Sequence, residues 1–290
     1  MNYTISNGKL TLTVSALGAE IVSVKDGEGC EYIWQGDPKY WASKAPVMFP
    51  ICGRLPSGRY SFEGKSYEMI HHGFTRKSEF ALTANTPSSL EFTLSSNEVT
   101  RAQYPFEFDF KITYTLTDST VEMKADIINK GESTMPAAFG AHPGFNVPLD
   151  NGSFEDWYVE FDEECTPNLF IFSENLLDSG MREAYPLKDG KIIPLRHSLF
   201  DIDAIFLSHV AKKATLKSEK SNRSVTLTYP ECPYLGIWHK PQSDAPYVCI
   251  EPWCGIPTIE GMSDDIMKKN DMFHIRAGSK KTVKLWIDFN

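Results

Sequence analysis

The stretch "FEFDFKITYTL", from Phe106 to Leu116, alternates apolar and mostly polar residues along its whole length. Successive side chains of a β-strand point to opposite faces of the sheet, so this alternation predicts a strand with one buried face. The same pattern recurs in shorter segments: "LTLTV" (10–14), "LEFTL" (90–94), "VTLTY" (225–229) and "TVKLWIDF" (282–289). The dominant period of the chain is therefore two residues, which is the period of strands and not of helices.

Turn signals lie between these segments at Asn7-Gly8, Glu63-Gly64, Asn151-Gly152 and Asp189-Gly190. No long apolar stripe has helical spacing, and we expect only short helical turns near 37–42 and 173–178. Many antiparallel strands in a chain of 290 residues predict an all-β fold, a large antiparallel β-sandwich. Because there is no internal repeat, low-complexity tract or Pro/Gly linker, we predict a single domain over residues 1–290.

The composition excludes several classes of partner. The net charge is −9 and the basic residues are scattered, so a phosphate backbone is repelled and we expect no nucleic-acid partner. No apolar run reaches the roughly 18–20 residues that span a bilayer, so we expect no membrane partner. The N-terminal segment does not resemble a signal peptide, which indicates a cytoplasmic protein. The six cysteines form no CxxC pair, as expected for reduced and mostly buried thiols.

Several catalytic motifs are missing. The chain has no glycine-rich phosphate loop, no HExxH and no GxSxG, which argues against nucleotide hydrolysis, zinc proteolysis and α/β-hydrolase chemistry. A metal site built from His71, His72, His142 and Cys254 is a weak hypothesis, because these residues lack the spacing of metal ligands. We therefore expect neither a metal nor a cofactor.

Histidines next to glycine or proline are the first candidates for chemistry. In "MIHHGFTRKSEF" (69–80), His71 and His72 would point to opposite faces of an extended segment, and Gly73 would let another group approach His72 closely. In "FGAHPGF", Pro143 favours an extended conformation at His142, from which the imidazole can reach a pocket. The alternatives are two surface histidines at a strand end and one hydrogen-bonded structural histidine.

A carboxyl group in an apolar setting is the second candidate. In "YVCIEPWCG", Glu251 shares one strand face with Tyr247 and Cys249, and it precedes Pro252. We expect it at a strand end and partly buried, where burial raises a carboxyl pKa toward neutrality and suits a general base. The alternative is a carboxylate that pairs with a nearby cation.

Further candidates are an arginine, an aspartate and two tryptophans. Arg54 follows an apolar stretch and a glycine, and its planar fork can hold two neighbouring oxygens or form a structural ion pair. Asp203, in "FDIDAIFL", can accept hydrogen bonds from hydroxyl groups, with Asp201 on the same predicted strand face as its competitor. Trp238 and Trp253 can stack on a sugar ring or pack in the core.

Taken together and in order, these segments resemble the aldose 1-epimerase (mutarotase) family of the galactose mutarotase-like superfamily. The resemblance is closest to the divergent branch associated with bacterial lactose operons. It implies a large antiparallel β-sandwich, and it covers nearly the whole chain. The segments that carry it are "GAEIVSV", "FPICGRLPSGRYSFEGKSY", "HHGFTR", "FGAHPGFNV", "FDIDAIFL", "YVCIEPWCG" and "LWIDF".

The resemblance implies that the protein interconverts the α and β anomers of an aldose, galactose or glucose by default, without a metal or cofactor. A base takes the proton of the C1 hydroxyl while an acid protonates the ring oxygen. By similarity, Glu251 is the base and His142 the acid, His72 orients the substrate, Asp203 binds hydroxyls, and Arg54 lies beside the site. A nearby carboxylate is expected to keep His142 protonated near neutral pH.

Two alternatives to this reading stay open. "HGFTR" is also similar to hexose-6-phosphate epimerases, where arginines hold the phosphate; Arg54 and Arg76, with Arg59 and Lys77 nearby, would serve unless Arg76 is a surface charge. A catalytically silent sugar-binding protein would use the tryptophans and Asp203 alone. The context Ala141-His142-Pro143-Gly144 differs from the better-known mutarotases, which have asparagine before this histidine and tyrosine or serine after it. The oligomeric state is not predicted.

Overall fold

The structure, a computed structural model, describes residues 1–290. The first twelve strands are β1 (Asn2–Ser6), β2 (Leu10–Ser15), β3 (Glu20–Asp26), β4 (Val47–Met48), β5 (Arg59–Phe62), β6 (Lys65–Glu68), β7 (Ala81–Thr86), β8 (Ser89–Ser95), β9 (Phe108–Thr117), β10 (Thr120–Asn129), β11 (Met135–Ala137) and β12 (Gly140–Ala141). The remaining strands are β13 (Gly144–Asn146), β14 (Trp157–Phe161), β15 (Asn168–Phe172), β16 (Asp178–Ala184), β17 (Ile192–Pro194), β18 (Ile205–Ser208), β19 (Lys213–Ser218), β20 (Val225–Thr228), β21 (Tyr234–Trp238), β22 (Tyr247–Trp253), β23 (Phe273–Ile275) and β24 (Lys280–Phe289).

Helical structure is confined to short pieces. The α-helix is α1 (Glu98–Gln103), and single 3₁₀ turns lie at Pro56–Gly58, Thr75–Lys77, Phe154–Asp156, His197–Phe200 and Ile266–Lys268. Strands hold 47% of the residues and helices 8%, so the predicted all-β class is confirmed. None of the helices has the length and apolar character needed to cross a membrane.

Two large antiparallel sheets form the body of the fold. The nine-stranded sheet has the order β17-β14-β19-β20-β24-β10-β9-β8-β7. The eight-stranded sheet has the order β16-β15-β18-β21-β22-β12-β4, with β13 also pairing with β22. Three small sheets, β1-β2-β3, β5-β6 and β11-β23, complete the set. Buried side chains from both large sheets belong to one core cluster of 68 residues, which is the sandwich expected from the sequence.

The strand pattern read from the sequence is confirmed, with small shifts in its bounds. The segment 106–116 forms β9, which starts at Phe108 and alternates buried and half-buried residues. Phe106 lies before the strand and packs on the ring of Phe62, with ring centroids 4.7 Å apart. Within β9, Phe110 stacks at 4.4 Å on Phe49, which follows β4 in the opposite sheet. The apolar face of this strand therefore supports the part of the other sheet from which the site is built.

The segments near 37–42 and 173–178, where short helical turns are expected, form single hydrogen-bonded turns that do not extend into helices. At the first segment, Tyr40 and Trp41 both donate their backbone N–H to the carbonyl of Asp37, and the turn goes no further. At the second, Ser173 and Leu177 close the hairpin that joins β15 to β16. Both segments instead contribute side chains to the cavity described below.

A close crossing of two backbone segments fixes the geometry around the histidines. Phe49 and Gly73 form an isolated bridge, and a Cβ built on Gly73 would lie 2.0 Å from the carbonyl oxygen of Phe49. Gly73 also has φ +75°, a conformation that side chains other than glycine adopt with strain. Only glycine can occupy this position without moving the chain.

We predict that Gly73→Ala destabilises the protein by about 3 kcal/mol or more, because the added methyl overlaps a backbone carbonyl that cannot rotate away. Urea denaturation measures the change. Gly64→Ala is the matched control, since Gly64 has nearly the same φ, +74°, but no atom within 4 Å of the added Cβ. The control should lose only about 1–2 kcal/mol from its left-handed backbone. Equal losses in the two variants would show that the crossing is not tight.

Candidate functional site

A cavity of about 550 Å³ is lined by residues of the eight-stranded sheet, from β4 to β15, and of the loops beside it. All the residues expected to form the site lie on its wall: Glu251, His142, His72, Asp203, Arg54, Arg76 and Trp238. The fold thus gathers side chains from segments spread over about two hundred positions of the chain. Its volume is within the range of about 300–1,000 Å³ usual for small-molecule sites.

Glu251 lies inside β22 and not at its end, because the strand continues through Pro252 and Trp253. Its neighbour across the ladder is Gly236 of β21, where a Cβ would lie 3.3 Å from both the Cβ and a carboxyl oxygen of Glu251. The missing side chain on β21 leaves the space that the carboxyl group fills. As the sequence indicated, Cys249 lies on the same face as Glu251, while the alternate residues enter the main core.

The Glu251 carboxyl group is 2% exposed and incompletely hydrogen-bonded. One oxygen, Oε2, accepts a hydrogen bond of 3.1 Å from the indole N–H of Trp253. The other, Oε1, makes no hydrogen bond and lies 3.3 Å from Nε2 of His142. Burial raises the pKa of Glu251 well above its usual value. The alternative was a carboxylate that pairs with a nearby cation; the ion-pair contact found for Glu251 is with His142, and it has none with a lysine or arginine.

His142 follows β12 and is held by a backbone hydrogen bond of 3.0 Å from its N–H to the carbonyl of Pro46. Its ring contacts the rings of Trp41 and Trp238, with centroids 5.0 Å and 5.7 Å away. The second ring nitrogen, Nδ1, is buried without a hydrogen-bond partner. The hydrogen bond expected of a structural histidine is therefore not made by this nitrogen, while Nε2 faces Glu251.

Burial works against the expected imidazolium in the free site. Burial, with a contribution from the nearby Arg76 and His71, lowers the pKa of His142 to about 3. Burial also raises the pKa of Glu251, which favours a proton on the carboxyl group. The sequence argument placed a carboxylate beside the histidine correctly but did not include the desolvation of both groups.

His71 and His72 both line the cavity, because an extended segment, the condition under which they would face opposite sides, is not formed here. The segment is not extended there, because His72 has φ +64° and Gly73 follows with φ +75°. The backbone N–H of Gly53 donates to Nδ1 of His72 at 3.1 Å, so the hydrogen of this neutral ring lies on Nε2. Burial lowers the pKa of His72, which keeps it a neutral donor.

Two arginines reach the cavity without a carboxylate partner. Arg76 is half-buried and donates at 3.0 Å to Nε2 of His71, while its own Nε is buried without a partner. Arg54 is exposed on the cavity wall, and neither arginine forms an ion pair. The surface-charge reading of Arg76 and the ion-pair reading of Arg54 are therefore both wrong. Arg59 pairs with Glu68 outside this cavity, and Lys77 is exposed outside it as well.

Asp203 and the tryptophans also lie on the cavity wall. Asp203 lies in a bend before β18 and not in a strand, and its competitor Asp201 does not reach the cavity. Trp238 ends β21, with its ring 5.5 Å from Trp41 and nearly perpendicular to it. Trp253 lines the cavity as well, and its indole packs 4.7 Å from Phe206.

Sequence reasoning missed part of the wall. Trp41 and Tyr40 lie in "DPKYWA", a segment that was expected only to turn, and the exposed Lys240 follows β21. Two adjacent aromatic residues outside any strand pattern were the available signal for Trp41. Lys240 had none, since single lysines are ordinary surface residues.

One group of side chains has the chemistry of metal ligands. A nitrogen of His142, the sulfur of Cys249 and a carboxyl oxygen of Glu251 all lie within 4.8 Å of one another. The set weighed from the sequence is not assembled, because Cys254 faces Cys232, with their sulfurs 3.2 Å apart, outside the cavity.

The chain is similar to proteins of known sequence over most of its length. "Protein LacX, chromosomal" of Lactococcus lactis subsp. lactis is 35% identical over 271 residues, which cover 89% of each chain. A plasmid-encoded LacX of the same organism matches to the same extent.

Solved structures give the same relationship. A galactose mutarotase related enzyme from Lactobacillus acidophilus superposes with a TM-score of 0.96 at 34% identity, covering 100% of this chain and 97% of that one. A galactose mutarotase-like protein from Lactobacillus casei gives a TM-score of 0.94 at 32% identity, with both chains fully covered. The family model described as aldose 1-epimerase matches residues 1–259. The chain therefore belongs to the aldose 1-epimerase family.

Proposed function

We propose that the protein is an aldose 1-epimerase that interconverts the α and β anomers of a free hexose, of the galactose or glucose type, by acid/base-catalysed ring opening. The observation that carries the proposal is the contact of Glu251 Oε1 with His142 Nε2 at 3.3 Å on the wall of the cavity. Family membership supports a sugar as the substrate. Two buried side chains that can exchange protons suit this reaction. It removes a proton from the C1 hydroxyl and adds one to the ring oxygen.

The pair holds one proton that the reaction can use. Burial favours this proton on Glu251 in the free site, and its passage to His142 over the direct contact would give a carboxylate and an imidazolium. The carboxylate then takes the proton of the C1 hydroxyl while the imidazolium protonates the ring oxygen, and the C1–O5 bond opens. After rotation about C1–C2, closure runs the same transfers backwards. Each positioned transfer typically accelerates a reaction ~10²–10⁴-fold.

The other cavity residues suit a sugar held for this step. His72 presents its Nε2–H as a donor, because its Nδ1 is occupied by the N–H of Gly53. Asp203 offers carboxylate oxygens to hydroxyl groups, and the faces of Trp41 and Trp238 meet the apolar face of a pyranose ring. A protein that only bound sugar would have no use for a buried carboxyl beside a buried imidazole, since both groups lose hydration there.

A hexose 6-phosphate is the second candidate substrate, and one observation favours it. Arg54, Arg76 and Lys240 line the cavity without an ion pair, in a chain whose net charge is −9. Unpaired guanidinium groups are suited to phosphate, which they bind through two oxygens at once. The free hexose and the hexose 6-phosphate undergo the same ring opening at C1. They differ only in the phosphate group on C6.

We predict that Glu251→Gln and His142→Asn each reduce catalysed anomer exchange by roughly 10²-fold or more, because each removes one of the two proton-transfer groups. The measurement is NMR magnetisation exchange between the α and β anomers of galactose and glucose. Glu63→Gln, a change at an exposed turn carboxyl, is the control and should exchange anomers like the wild type. Wild-type exchange rates in either site variant would remove that residue from the mechanism. If the folded wild-type protein binds sugar but does not accelerate anomer exchange, it is a sugar-binding protein and not an enzyme.

The phosphosugar alternative predicts a specific effect of Arg76→Ala. If arginines hold a phosphate, the variant should lose about tenfold or more of its kcat/KM for galactose 6-phosphate or glucose 6-phosphate and little for the free hexoses. Arg59→Ala, which removes a guanidinium outside this cavity, is the matched control. Equal losses for free and phosphorylated sugars would leave the phosphate without a role.

The raised pKa of Glu251 predicts a dependence of stability on pH. A carboxyl whose pKa is higher in the folded state contributes its full stability below the unfolded pKa, about 4.5, and loses it as the pH rises toward the folded value. Gln does not titrate, so Glu251→Gln should become more stable than wild type as the pH is raised, by up to about 1.4 kcal/mol per pH unit. Urea denaturation at several pH values measures this difference. Parallel curves would mean that Glu251 ionises freely in the fold.

A further inference from the structure

A soft-ligand cluster lies beside the cavity: His142 and Glu251 are on its wall, and Cys249 is buried next to them. Nε2 of His142 and Oε1 of Glu251 are 3.3 Å apart, and the sulfur of Cys249 completes a set whose donor atoms are all within 4.8 Å. Cys249 and Glu251 are two residues apart on β22 and point to the same side, so the strand itself sets their spacing. From these positions we infer that His142, Cys249 and Glu251 form a binding site for a zinc-class divalent cation, which inhibits the enzyme when bound.

The geometry is close to that of a known type of metal site. Nitrogen and oxygen ligands of tetrahedral zinc, with bonds of about 2.0–2.1 Å, lie about 3.3 Å from each other, as the His142 and Glu251 atoms do. With a zinc–sulfur bond of about 2.3 Å, the sulfur would lie about 3.6 Å from the other two ligand atoms, so binding draws together a set that now lies within 4.8 Å. Three protein ligands leave a fourth position, and two of the three, His142 and Glu251, are on the cavity wall.

The surroundings leave the ligand atoms available. Trp253 holds Oε2 of Glu251, so the carboxyl group is oriented while Oε1 makes no hydrogen bond. Such an outer hydrogen bond is the usual way in which a metal-binding carboxylate is fixed. Binding displaces the protons of the Cys249 thiol and the Glu251 carboxyl to solvent, and the two resulting negative charges balance the cation. The net charge of the occupied site is then zero, so the nearby Arg54 and Arg76 do not oppose it.

Inhibition follows from the identity of the ligands and rests on the proposed function. The cation would occupy Oε1 of Glu251 and Nε2 of His142, the two atoms to which that function assigns proton transfer. Zinc and sugar therefore exclude each other. Inhibition should be competitive with the hexose and should be reversed by a chelator.

The test titrates the wild-type protein with zinc chloride by calorimetry and with cobalt chloride by absorption spectroscopy. We expect one cation per chain, and with cobalt a thiolate-to-metal charge-transfer band in the near ultraviolet. Cys249→Ala should abolish the band and weaken zinc binding at least about 100-fold. Cys232→Ala is the matched control, because it removes a buried thiol that faces Cys254 and not the cavity, and it should keep both the band and the affinity.

Each outcome decides the proposal. Absence of binding to wild type, a band retained in Cys249→Ala, or a band lost in Cys232→Ala would overturn it; the last would place the cation at the Cys232–Cys254 pair. Should Cys249→Ala not fold, Cys249→Ser and His142→Asn each remove one ligand atom and are read in the same way. Binding does not depend on turnover, so a protein that binds zinc through Cys249 but exchanges no sugar anomers would retain the metal site and lose the proposed function.

Discussion

The site depends on one carboxyl group buried within a paired strand. Glu251 can lie there because Gly236, opposite it in the ladder, has no side chain, and because Trp253 donates a hydrogen bond to one of its oxygens. Burial costs a carboxylate its hydration, so it raises the pKa of Glu251 and lowers that of its neighbour His142. Burial therefore favours an uncharged pair in the free site, and charge separation requires a proton to pass from one partner to the other.

Around this neutral centre the charges are distributed unevenly. The protein as a whole is acidic, yet the basic groups of the cavity wall have no acidic partners, and the guanidinium of Arg76 is directed at a histidine. This arrangement keeps His71 neutral, with its pKa lowered to about 4 by burial and by the cation beside it. The cavity thus combines an apolar, aromatic side around Trp41 and Trp238 with a cationic side around Arg54 and Arg76. A ligand that is apolar on one face and rich in oxygen on the other fits both.

Much of the fold could be predicted because strands have a period of two. The segment "FEFDFKITYTL" (106–116) forms β9 with a shift of one or two residues at its ends. The residues of the cavity were readable as well, from the types that accompany sugar chemistry in the family pattern, although their roles and the single-domain organisation stay predictions. The local argument failed where tertiary structure decides. His71 and His72 share a cavity only because a left-handed turn reverses the usual alternation, and Asp203 follows a bend that no periodicity marks. The protonation of Glu251 and His142 could not be predicted from the sequence either, because the residues that bury them come from strands far away in the chain.

The order of strands in the nine-stranded sheet has a consequence for biosynthesis. β24 lies between β20 and β10, so the strands on its two sides, β7–β10 and β14, β17, β19 and β20, have no ladder with each other. A ribosome makes these two halves long before residues 280–289 emerge, and N-terminal segments fold as they appear. Until then each half presents an open strand edge, which is a template for wrong pairing. The nascent chain is therefore most exposed to aggregation just before its sheet is joined.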